Sequence, residues 1–500
     1  MDFANLQLSL SNILPEISVA IFLLLIVGFD LIFNEDKRLI PYIALLGLVI
    51  AGILVAMHTG DVTSAFKITS MNNGGMVAID PFSDYFKLVI ILASVIVVFF
   101  SISSKEIKRT EKRQGEYYAL MYGMLLGMML MVSAVDLVLI YLSVELLSLS
   151  SYVLAGFTKL RNRNSEASLK YIIYGSAASG MMLFGISLLY GLTGVTNLHE
   201  INSAFQGMQI NIYTLSFALI LIFVGLGFKL SAVPFHFWTP DIYEGAPIPI
   251  TAYLSVASKA AALALLVRFI RTTFVAYVGN NGFWEMLPVF DWQTLMVVIS
   301  LVTMTLGNLT ALWQKNLKRL LAYSSIAHAG YLMLGILVLS DNGVFALMIY
   351  LFAYVIMNLG AFYVIMLIAD NTGSESIDDI GGLGYTAPLL AVPLTIFLVS
   401  LAGIPPAFGF IAKMNLFIAV IDANLMTVVV IALLNVVVSV YYYSRILKHM
   451  YFDKVDDSTP RFSVNKIDTT VVLVLAGLII YLGIFASSIY EFVRNSTKFF

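Results

Sequence analysis

Four ionisable side chains lie deep inside apolar runs of this sequence, and their chemistry suits proton transfer. They are Glu145, Lys229, Lys259 and Lys413. A charge at mid-bilayer costs roughly 2.5–3.5 kcal/mol on the lenient insertion scale, so four unpaired charges cost on the order of 10 kcal/mol. Because Glu and Lys side chains each bind and release a proton, that cost predicts a proton-carrying role inside a membrane.

A carboxylate and a lysine can work together in such a position. Burial disfavours the charged form of a lysine and a nearby carboxylate favours it, so a lysine whose partner comes and goes can load and release a proton. Glu145 follows Asp136 by nine residues, which places it about 14 Å into its run. The alternative is an ion pair of Glu145 with Lys229 that only holds helices together, which leaves Lys259 and Lys413 unexplained.

Prolines interrupt two of the apolar runs close to these lysines. Pro234 follows Lys229 by five residues, and Pro405-Pro406 precede Lys413. A proline inside a helix removes a backbone N–H and breaks the turn. Irregular backbone at membrane depth is tolerated only where it is buried in protein or lines a wet cavity. Both breaks therefore predict a hydrated interior beside a lysine.

Two histidines also fall within the runs. His328 follows Ser324 and Ser325 by four and three residues, on the same predicted helix face, so it is interpreted as part of a proton relay. His236 lies beside the first proline break and is a candidate for the same path. For both histidines, a hydrogen-bonded packing role is the alternative.

The elements that position these residues are predicted to be membrane helices, because the composition excludes a water-soluble surface. Apolar residues make up 60% of the 500 residues, charged residues only 12%, and the mean hydropathy is +0.92. The net charge of −2 gives no basic footprint for nucleic acid. Since the chain has no cysteine, it holds neither a disulfide nor a thiolate-bound iron–sulfur cluster, and any redox cofactor is expected on a partner.

Fourteen apolar runs have about the 20 residues that are needed to cross roughly 30 Å of hydrocarbon. They begin near Leu14, Ile40, Phe82, Tyr117, Leu137, Ala167, Tyr213, Ile248, Trp292, Leu317, Val344, Leu389, Leu425 and Thr470. The first run has no basic residue before it, so it is predicted to be a retained helix and not a secretory signal. With no Arg- and Ser-rich transit segment either, the sequence indicates a protein of the bacterial plasma membrane, embedded in the lipid bilayer.

Basic residues are distributed unequally between the two sides of the predicted membrane. One side holds 18 of them: Lys37, Arg38, Lys105, Lys108, Arg109, Lys112, Arg113, Lys159, Arg161, Arg163, Lys315, Lys318, Arg319, Arg445, Lys448, Lys454, Arg461 and Lys466. The other side holds 5, namely Lys67, Arg268, Arg271, Arg494 and Lys498. Because basic loops stay in the cytoplasm and the number of spans is even, both termini are predicted to face outside.

The two proline breaks fall in the seventh and twelfth spans, which are five spans apart. Five is an odd number, so two copies of a five-span repeat must be inverted in the bilayer, as in transporters with broken helices. The predicted fold is an all-α polytopic membrane protein with two inverted five-helix repeats, spans 4–8 and 9–13, in which helices 7 and 12 are broken.

This fold divides the sequence into four parts. Residues 1–115 hold three spans and an outer β-hairpin at 59–80, in which FKIT and MVAID flank Asn72-Asn73-Gly74-Gly75. Residues 116–276 and 277–450 are the two predicted half-channel repeats, and residues 451–500 are a polar inner loop with the last span.

Four long motifs give the sequence a resemblance to a known family. They are VELLSLSSYVLAGF, FKLSAVPFHFWTPDIYEGAPIPITAYLSVASKAA, LKRLLAYSSIAHAGY and LAGIPPAFGFIAK, in this order within residues 116–450. With these motifs the chain resembles the antiporter-like membrane subunits of respiratory NADH:quinone oxidoreductase (complex I, NDH-1). It looks most like the subunit N branch, because of WTPDIYEGAP, because Lys413 replaces the glutamate expected in subunit M, and because subunit L's long lateral helix does not follow the fourteenth span.

The resemblance implies a proton channel and a set of partners. Glu145 and Lys229 would lie in one half of the channel, Lys259 in the centre and Lys413 in the other half, with His328 as a link. Subunits M and K would be neighbours, with FMN and iron–sulfur clusters on partner subunits and no cofactor in this chain. Phe408 is bulkier than the residues usual in the family, and we expect it to narrow the water path to Lys413.

The predicted function is therefore a proton-translocating subunit of an NADH:quinone oxidoreductase, an enzyme complex whose electrons move on other subunits. GLGFKL and GGLGYT lack the strand–turn–helix context of a phosphate loop, so no direct NADH binding is expected. The alternative is a subunit of a multisubunit sodium/proton antiporter. A passive assembly scaffold is a third possibility, and it leaves the buried lysines unexplained.

Overall fold

A computed structural model describes residues 3–33, 37–58, 60–67, 74–158, 162–207, 210–453 and 464–499. Within these residues the chain is helical apart from loops and two small β-hairpins. The helices are α1 Phe3–Asn12, α2 Leu14–Ile32, α3 Ile40–His58, α4 Pro81–Ser103, α5 Lys105–Lys108, α6 Gln114–Ser133, α7 Leu137–Ala155, α8 Asn162–Thr193, α9 Leu198–Gly207, α10 Ile212–Leu230, α11 Trp238–Gly245, α12 Ile248–Phe274, α13 Trp292–Ala311, α14 Leu317–Leu337, α15 Asp341–Thr372, α16 Leu383–Thr386, α17 Pro388–Ala402, α18 Phe408–Asp422, α19 Met426–Phe452, α20 Lys466–Ile484 and α21 Ser487–Asn495. Two 3-10 helices, Glu111–Arg113 and Asp378–Ile380, lie in loops.

Thirteen of the described helices are long and apolar enough to cross a membrane, or fourteen if the bent pair Asp378–Thr386 and Pro388–Ala402 counts as one span. The predicted all-α polytopic fold is thereby confirmed. The largest shifts from the predicted starts are in α8 and α20, which begin at Asn162 and Lys466. Their first turns are polar, so a search for apolar runs misses them.

The helix breaks lie at the two predicted places. α10 ends at Leu230, where Ser231 takes a left-handed conformation with φ 60°, and helical structure resumes at Trp238. α17 ends at Ala402, where Gly403 has φ 83°, and α18 begins after the proline pair. A left-handed residue ends the helical hydrogen-bond ladder, and a proline cannot restore it because it has no N–H.

The two ends of the helix bundle carry different loops. One end, which we call the hairpin end, holds the strand pairs β1 Thr63–Ala65 with β2 Val77–Ile79, and β3 Val275–Val278 with β4 Trp284–Met286. The other end, which we call the charged end, holds segments 104–113, 244–247, 314–316 and 373–382. α6 begins at the charged end and α13 at the hairpin end. The two runs of five spans therefore cross the bundle in opposite senses.

A β-hairpin is present in the region 59–80, but its first strand lies upstream of FKIT. Phe66 ends β1 with φ 58°, and its N–H donates to Ser9 Oγ at 2.9 Å. The turn at Asn72-Asn73 lies outside the described residues, as does most of the polar loop at 453–468. Four further elements, α1, α9, α21 and the hairpin β3–β4, are not evident from the sequence, because they are short and lie outside the apolar runs.

Three helices form the centre of the bundle. In α12 the most apolar 18-residue window is 100% buried, and in α14 and α15 it is 94% buried. Side chains on these helices therefore contact protein on every side and are removed from lipid. Lys259 lies on α12 and His328 on α14, which explains how polar groups are accommodated at membrane depth.

The assignment of Arg268 to an outer loop is wrong. It lies in the last two turns of α12 with no exposed surface, and its guanidinium donates to both carboxylate oxygens of Asp80 at 2.8 Å. Its Nε donates to Val132 O at 2.9 Å. An arginine can continue a membrane helix when a carboxylate on a neighbouring element neutralises it, and the sequence alone does not reveal that partner.

Candidate functional site

Glu145 and Lys229 lie on α7 and α10, which both pack on α8. Asp136 caps α7 by accepting the N–H of Val138 at 2.9 Å, and this cap places Glu145 in the middle of the helix. Lys229 is the penultimate residue of α10 and is buried directly before the break. The structure thus places both side chains inside the first run of five spans, Glu145 only partly covered and Lys229 fully.

Glu145 and Lys229 do not form a direct ion pair among the described residues. Lys229 Nζ and Glu145 Oε1 each lack a hydrogen-bond partner in that part of the chain. The rings of Tyr152 and Tyr171 lie near Lys229 Nζ, both with centres 5.6 Å away. A helix-cementing ion pair would place the two charged groups in direct contact, so this arrangement does not fit that alternative.

Lys259 is completely buried in α12 and is held by neutral acceptors. Its Nζ donates to Ser325 O at 2.7 Å and to Ser325 Oγ at 2.5 Å, both on α14. Because neither acceptor carries a charge, the amine can lose its proton without leaving an unpaired carboxylate beside it. The structure therefore joins Lys259 to one of the two serines that the sequence assigns to the relay.

His328 is connected to hydroxyl groups on two other helices. Its Nδ1 lies 2.6 Å from Tyr350 Oη of α15, and its Nε2 lies 3.3 Å from Tyr443 Oη of α19. Tyr443 Oη in turn lies 2.5 Å from Ser324 Oγ. Hydrogen-bond contacts therefore join His328 to Ser324, but they run through a tyrosine on another helix and not along one helix face. That these contacts relay protons stays a prediction.

Tyr350 and Tyr443 are therefore relay candidates that the sequence analysis misses. Both are buried, and each offers a hydroxyl that can donate and accept. The chain has 26 tyrosines, and no spacing in the sequence singles out these two. Only the packing of α15 and α19 around α14 does so.

Lys413 is buried on α18 and faces the end of the preceding half-helix. Its Nζ donates to Leu401 O at 2.9 Å and to Ala402 O at 3.0 Å. These are the last carbonyls of α17, which have no helical partner and carry the negative end of the helix dipole. Lys413 Nζ also lies 4.9 Å from the ring centre of Tyr331. The break at the proline pair thus creates the acceptors for this lysine.

Phe408 is the first residue of α18 and is buried next to the second break. Its ring centre lies 6.5 Å from that of Phe352 on α15. The expected narrowing of a water path to Lys413 stays a prediction.

His236 stands apart from the other candidates. It is buried in the break between α10 and α11, and its ring centre is 4.4 Å from that of Phe237. Its Nδ1 has no hydrogen-bond partner within the described residues. No contact seen there joins it to Lys229 or His328, so its part in the proton path rests only on its position beside the break.

Ion pairs join the two runs of five spans at the charged end. Arg319 of α14 binds Asp241 at 2.8 Å and Glu244 at 2.7 Å, both on α11. Lys170 of α8 also binds Asp241, at 2.8 Å, and Arg163 binds Glu244. Such partly exposed pairs each contribute about 0–1 kcal/mol, so their main effect is to fix the position of the half-helix α11 between its neighbours.

A second ionic contact at this end involves Glu375 and Lys318. Lys318 is buried near the start of α14, and its Nζ lies 3.2 Å from Glu375 Oε1. Asn316 Nδ2 donates to Glu375 Oε2 at 3.0 Å. Burial alone would raise the pKa of Glu375, but Lys318, Asn316 and Arg163 together hold this pKa below its ordinary value. Glu375 is therefore an anion at neutral pH, and it neutralises Lys318.

Comparison with known proteins decides the family. The family model described as NADH:quinone oxidoreductase/Mrp antiporter, TM, matches residues 134–439. NADH-quinone oxidoreductase subunit N 2 of Chloroherpeton thalassium is 45% identical over 99% of this chain and 95% of that relative. Subunit N of Chlorobium chlorochromatii is 41% identical over 99% and 96%. The chain belongs to the NADH-quinone oxidoreductase subunit N family. The resemblance inferred from the four motifs is thereby confirmed.

Solved structures share the fold of this subunit N family member. A chain of respiratory complex I from Thermus thermophilus matches with a TM-score of 0.77 and 29% identity, covering 95% of this chain and 98% of that one. A chain of the Mrp complex from Dietzia sp. matches with a TM-score of 0.80 at 20% identity, covering 98% and 97%, which shows the fold alone. The architecture therefore occurs in both classes of complex weighed for this sequence.

The described residues contain no group of three or more His, Cys, Asp or Glu side chains that could hold a metal ion. The titratable side chains in the interior are instead dispersed along the bundle, each with hydroxyl, carbonyl or aromatic neighbours. This distribution suits the passage of a proton through several positions.

Proposed function

We propose that this chain carries protons across the membrane within an NADH:quinone oxidoreductase. One observation supports this proposal above the others: two adjacent serines of α14 belong to the hydrogen-bonded groups of Lys259 and of His328. Ser325 binds Lys259, while the adjacent Ser324 is linked through Tyr443 to His328. These two hydrogen-bonded groups meet at adjacent residues of α14, and donors and acceptors close together at mid-membrane are what proton transfer between fixed groups needs.

Each member of this series suits a different step. Lys259 gains or loses the proton, and Ser325 accepts its hydrogen bond when it is charged. His328 has a hydroxyl beside each ring nitrogen, so it can take a proton at one nitrogen and release it from the other. Lys413 is the next amine, and the carbonyls at the end of α17 stabilise its charged form.

The assignment is tested by changing the chemistry of Lys259 at constant charge. Lys259→Arg keeps a positive charge but cannot release a proton, since the arginine pKa is above about 12. We expect the variant complex to assemble and to lose most NADH-driven proton pumping, and Lys259→Ala to do the same without added bulk. Lys315→Arg, on the exposed loop of the charged end, is the matched control. Normal pumping by Lys259→Arg would show that this lysine is an electrostatic support.

We also propose which parts of the chain form the two half-channels, which subunits are its partners, and how it is oriented in the membrane. Residues 116–276, with Glu145 and Lys229, form one half-channel, and residues 277–450, with Lys413, form the other. Electrons move on partner subunits that hold FMN and iron–sulfur clusters, and subunits M and K are the neighbours in the membrane. The charged end faces the cytoplasm, because 18 basic residues were assigned to that side.

The likeness to the Mrp complex favours a sodium/proton antiporter subunit as the second candidate. The two functions differ in their driving force. Proton movement that depends on sodium and continues without NADH oxidation supports the antiporter, whereas pumping that stops when NADH is withheld supports the oxidoreductase. Purification of the chain together with flavin-bearing partners would independently support the oxidoreductase.

A further inference from the structure

A charged cavity opens at the charged end, directly below the start of α12. Its volume is about 300 Å³. Side chains of both signs line it, among them Lys105, Arg163, Glu244, Lys318, Asp370 and Glu375. These residues come from α5, α8, α11, α14, α15 and the segment after α15, so the cavity lies where both runs of five spans meet.

The floor of this cavity is connected to α12 by hydrogen bonds. Lys318 Nζ, which pairs with Glu375, donates to Ala246 O at 2.8 Å. The same carbonyl oxygen accepts from Thr251 Oγ1 at 3.4 Å, and Thr251 Oγ1 also lies 3.0 Å from Tyr243 O. One carbonyl therefore has the cavity lysine on one side and the first buried hydroxyl of α12 on the other.

A polar stripe continues from that hydroxyl to the central lysine. Thr251, Ser255 and Lys259 are four residues apart, so they lie on one face of α12 over about 12 Å. All three have no exposed surface. The hydroxyl of Ser255 accepts from Asn358 Nδ2 at 2.7 Å, and its carbonyl accepts from Tyr354 Oη at 3.2 Å.

One atom beside this stripe indicates that it is hydrated. Asn358 Oδ1 is buried and has no hydrogen-bond partner within the described residues. A buried amide oxygen is normally satisfied by protein or by water, so this atom marks a place for a water molecule near Ser255, whose hydroxyl accepts from the same amide group. Hydroxyl groups and water can each donate and accept, so such a stripe can pass a proton along its length.

We propose that protons enter this subunit from the cavity at the charged end and reach Lys259 along Thr251 and Ser255. The proton comes from water in the cavity, passes over the hydroxyls and the water beside Asn358, and ends on the Lys259 amine. The Lys318–Glu375 pair is positioned at the mouth of this route. This inference rests on the proposed proton-carrying function and adds an entry route to it.

Accessibility of Thr251 to water gives a direct test. The chain has no cysteine, so Thr251→Cys introduces its only thiol. In the assembled complex in membrane vesicles, methyl methanethiosulfonate added at the charged-end side is expected to modify this thiol several-fold faster than that of Thr273→Cys. Thr273 is the matched control, because it is also fully buried on α12 but lies near the hairpin end. Equal rates would overturn the proposal.

Proton uptake gives an independent test. Thr251→Val removes the hydroxyl at nearly constant volume and is expected to lower NADH-driven proton uptake several-fold, whereas Thr251→Ser keeps the hydroxyl and should retain most of it. Thr273→Val should leave uptake unchanged. If Thr251→Val takes up protons normally while Lys259→Arg does not, the entry route is wrong and the proposed function stands. If Lys259→Arg is also normal, the proposed function itself fails. Should Thr251→Val not assemble, the labelling rates decide.

Discussion

The three buried lysines of the proposed proton path have three different environments. Lys229 has aromatic rings around its amine, Lys259 has the oxygens of one serine, and Lys413 has the terminal carbonyls of a half-helix. None of these neighbours is a carboxylate in direct contact. The stability of each charged form thus depends on water and on more distant charges, which can change as a proton arrives or leaves.

Glu145 is the only carboxylate among the candidates, and its charge is predicted to control Lys229. Glu145→Gln removes that charge at constant shape, so we expect an assembled complex whose proton pumping and coupled quinone reduction fall by roughly tenfold or more. Glu145→Asp keeps the charge and should retain more activity than the amide. Pumping is measured in vesicles against assembly, which is read from native gels. Full pumping by Glu145→Gln at normal assembly would remove this residue from the path.

At Lys413, an arginine and an alanine variant can separate proton release from hydrogen bonding, because the acceptors of this lysine are backbone carbonyls. Lys413→Arg can still donate to Leu401 O and Ala402 O, so the break should keep its structure, but the side chain can no longer release a proton. We expect turnover to fall in this variant and in Lys413→Ala. If the arginine variant pumps at the original rate while the alanine variant does not, Lys413 is a fixed charge that holds the two half-helices together.

Individual elements are stabilised by groups that take no part in proton transfer. Asp80 caps α4 by accepting Ser83 N–H at 2.8 Å, and its carboxylate also neutralises Arg268 of α12. Both charged side chains have no exposed surface. This pair therefore joins the start of α4 to the end of α12. It fixes the position of α12, the helix that carries Lys259, along the bundle relative to α4.

Breaking this buried pair from one side is expected to destabilise the subunit. Arg268→Met removes the guanidinium that neutralises the buried Asp80 carboxylate, and removal of one partner of a buried ion pair typically costs about 3–5 kcal/mol. In the double variant Asp80→Asn with Arg268→Met, the asparagine can still cap α4 and no charge remains unpaired, so much of the loss should be recovered. Thermal unfolding of the purified complex measures both. A double variant no more stable than Arg268→Met would contradict the account.

At the scale of the whole molecule, the first helix α1 and the last described residue, Phe499, both lie at the hairpin end. Ser9 of α1 contacts Phe66 next to β1, and the ring of Phe499 stacks on Phe82 at the start of α4, with centres 4.3 Å apart. An even number of spans requires this arrangement. The ion pairs of Arg319 lie at the opposite end and join the two runs of five spans there.

Reporters at the two termini test the orientation of this bundle. A reporter fused after Phe500 and one fused before Met1 are both expected to be active only if they work outside the cytoplasm, since the basic loops lie at the other end. Activity on opposite sides would contradict the even number of spans. Cytoplasmic activity of both would show that the distribution of basic residues does not set the orientation of this chain.

The sequence by itself determined the fold class, the number of spans and the places of both breaks. These features depend only on neighbouring residues in the sequence. A run of about 20 apolar residues is stable as a helix across the membrane, and a proline within a helix removes a backbone hydrogen bond. The sequence identified Lys229, Lys259 and Lys413 for the same reason. The free energy needed to place a charged side chain in an apolar membrane span is evident even when its neighbours are unknown.

The tertiary structure alone decided what these residues contact. Tyr350 comes to His328 from the next helix, Tyr443 comes to it across 115 residues, and Asp80 comes to Arg268 across 188 residues. Packing also placed Thr251 and Ser255 in line between a charged cavity and Lys259. Such contacts depend on which helix faces meet. The spacing of apolar residues along a helix and the composition of the helix show that one of its faces is buried. They do not show which other helix covers that face.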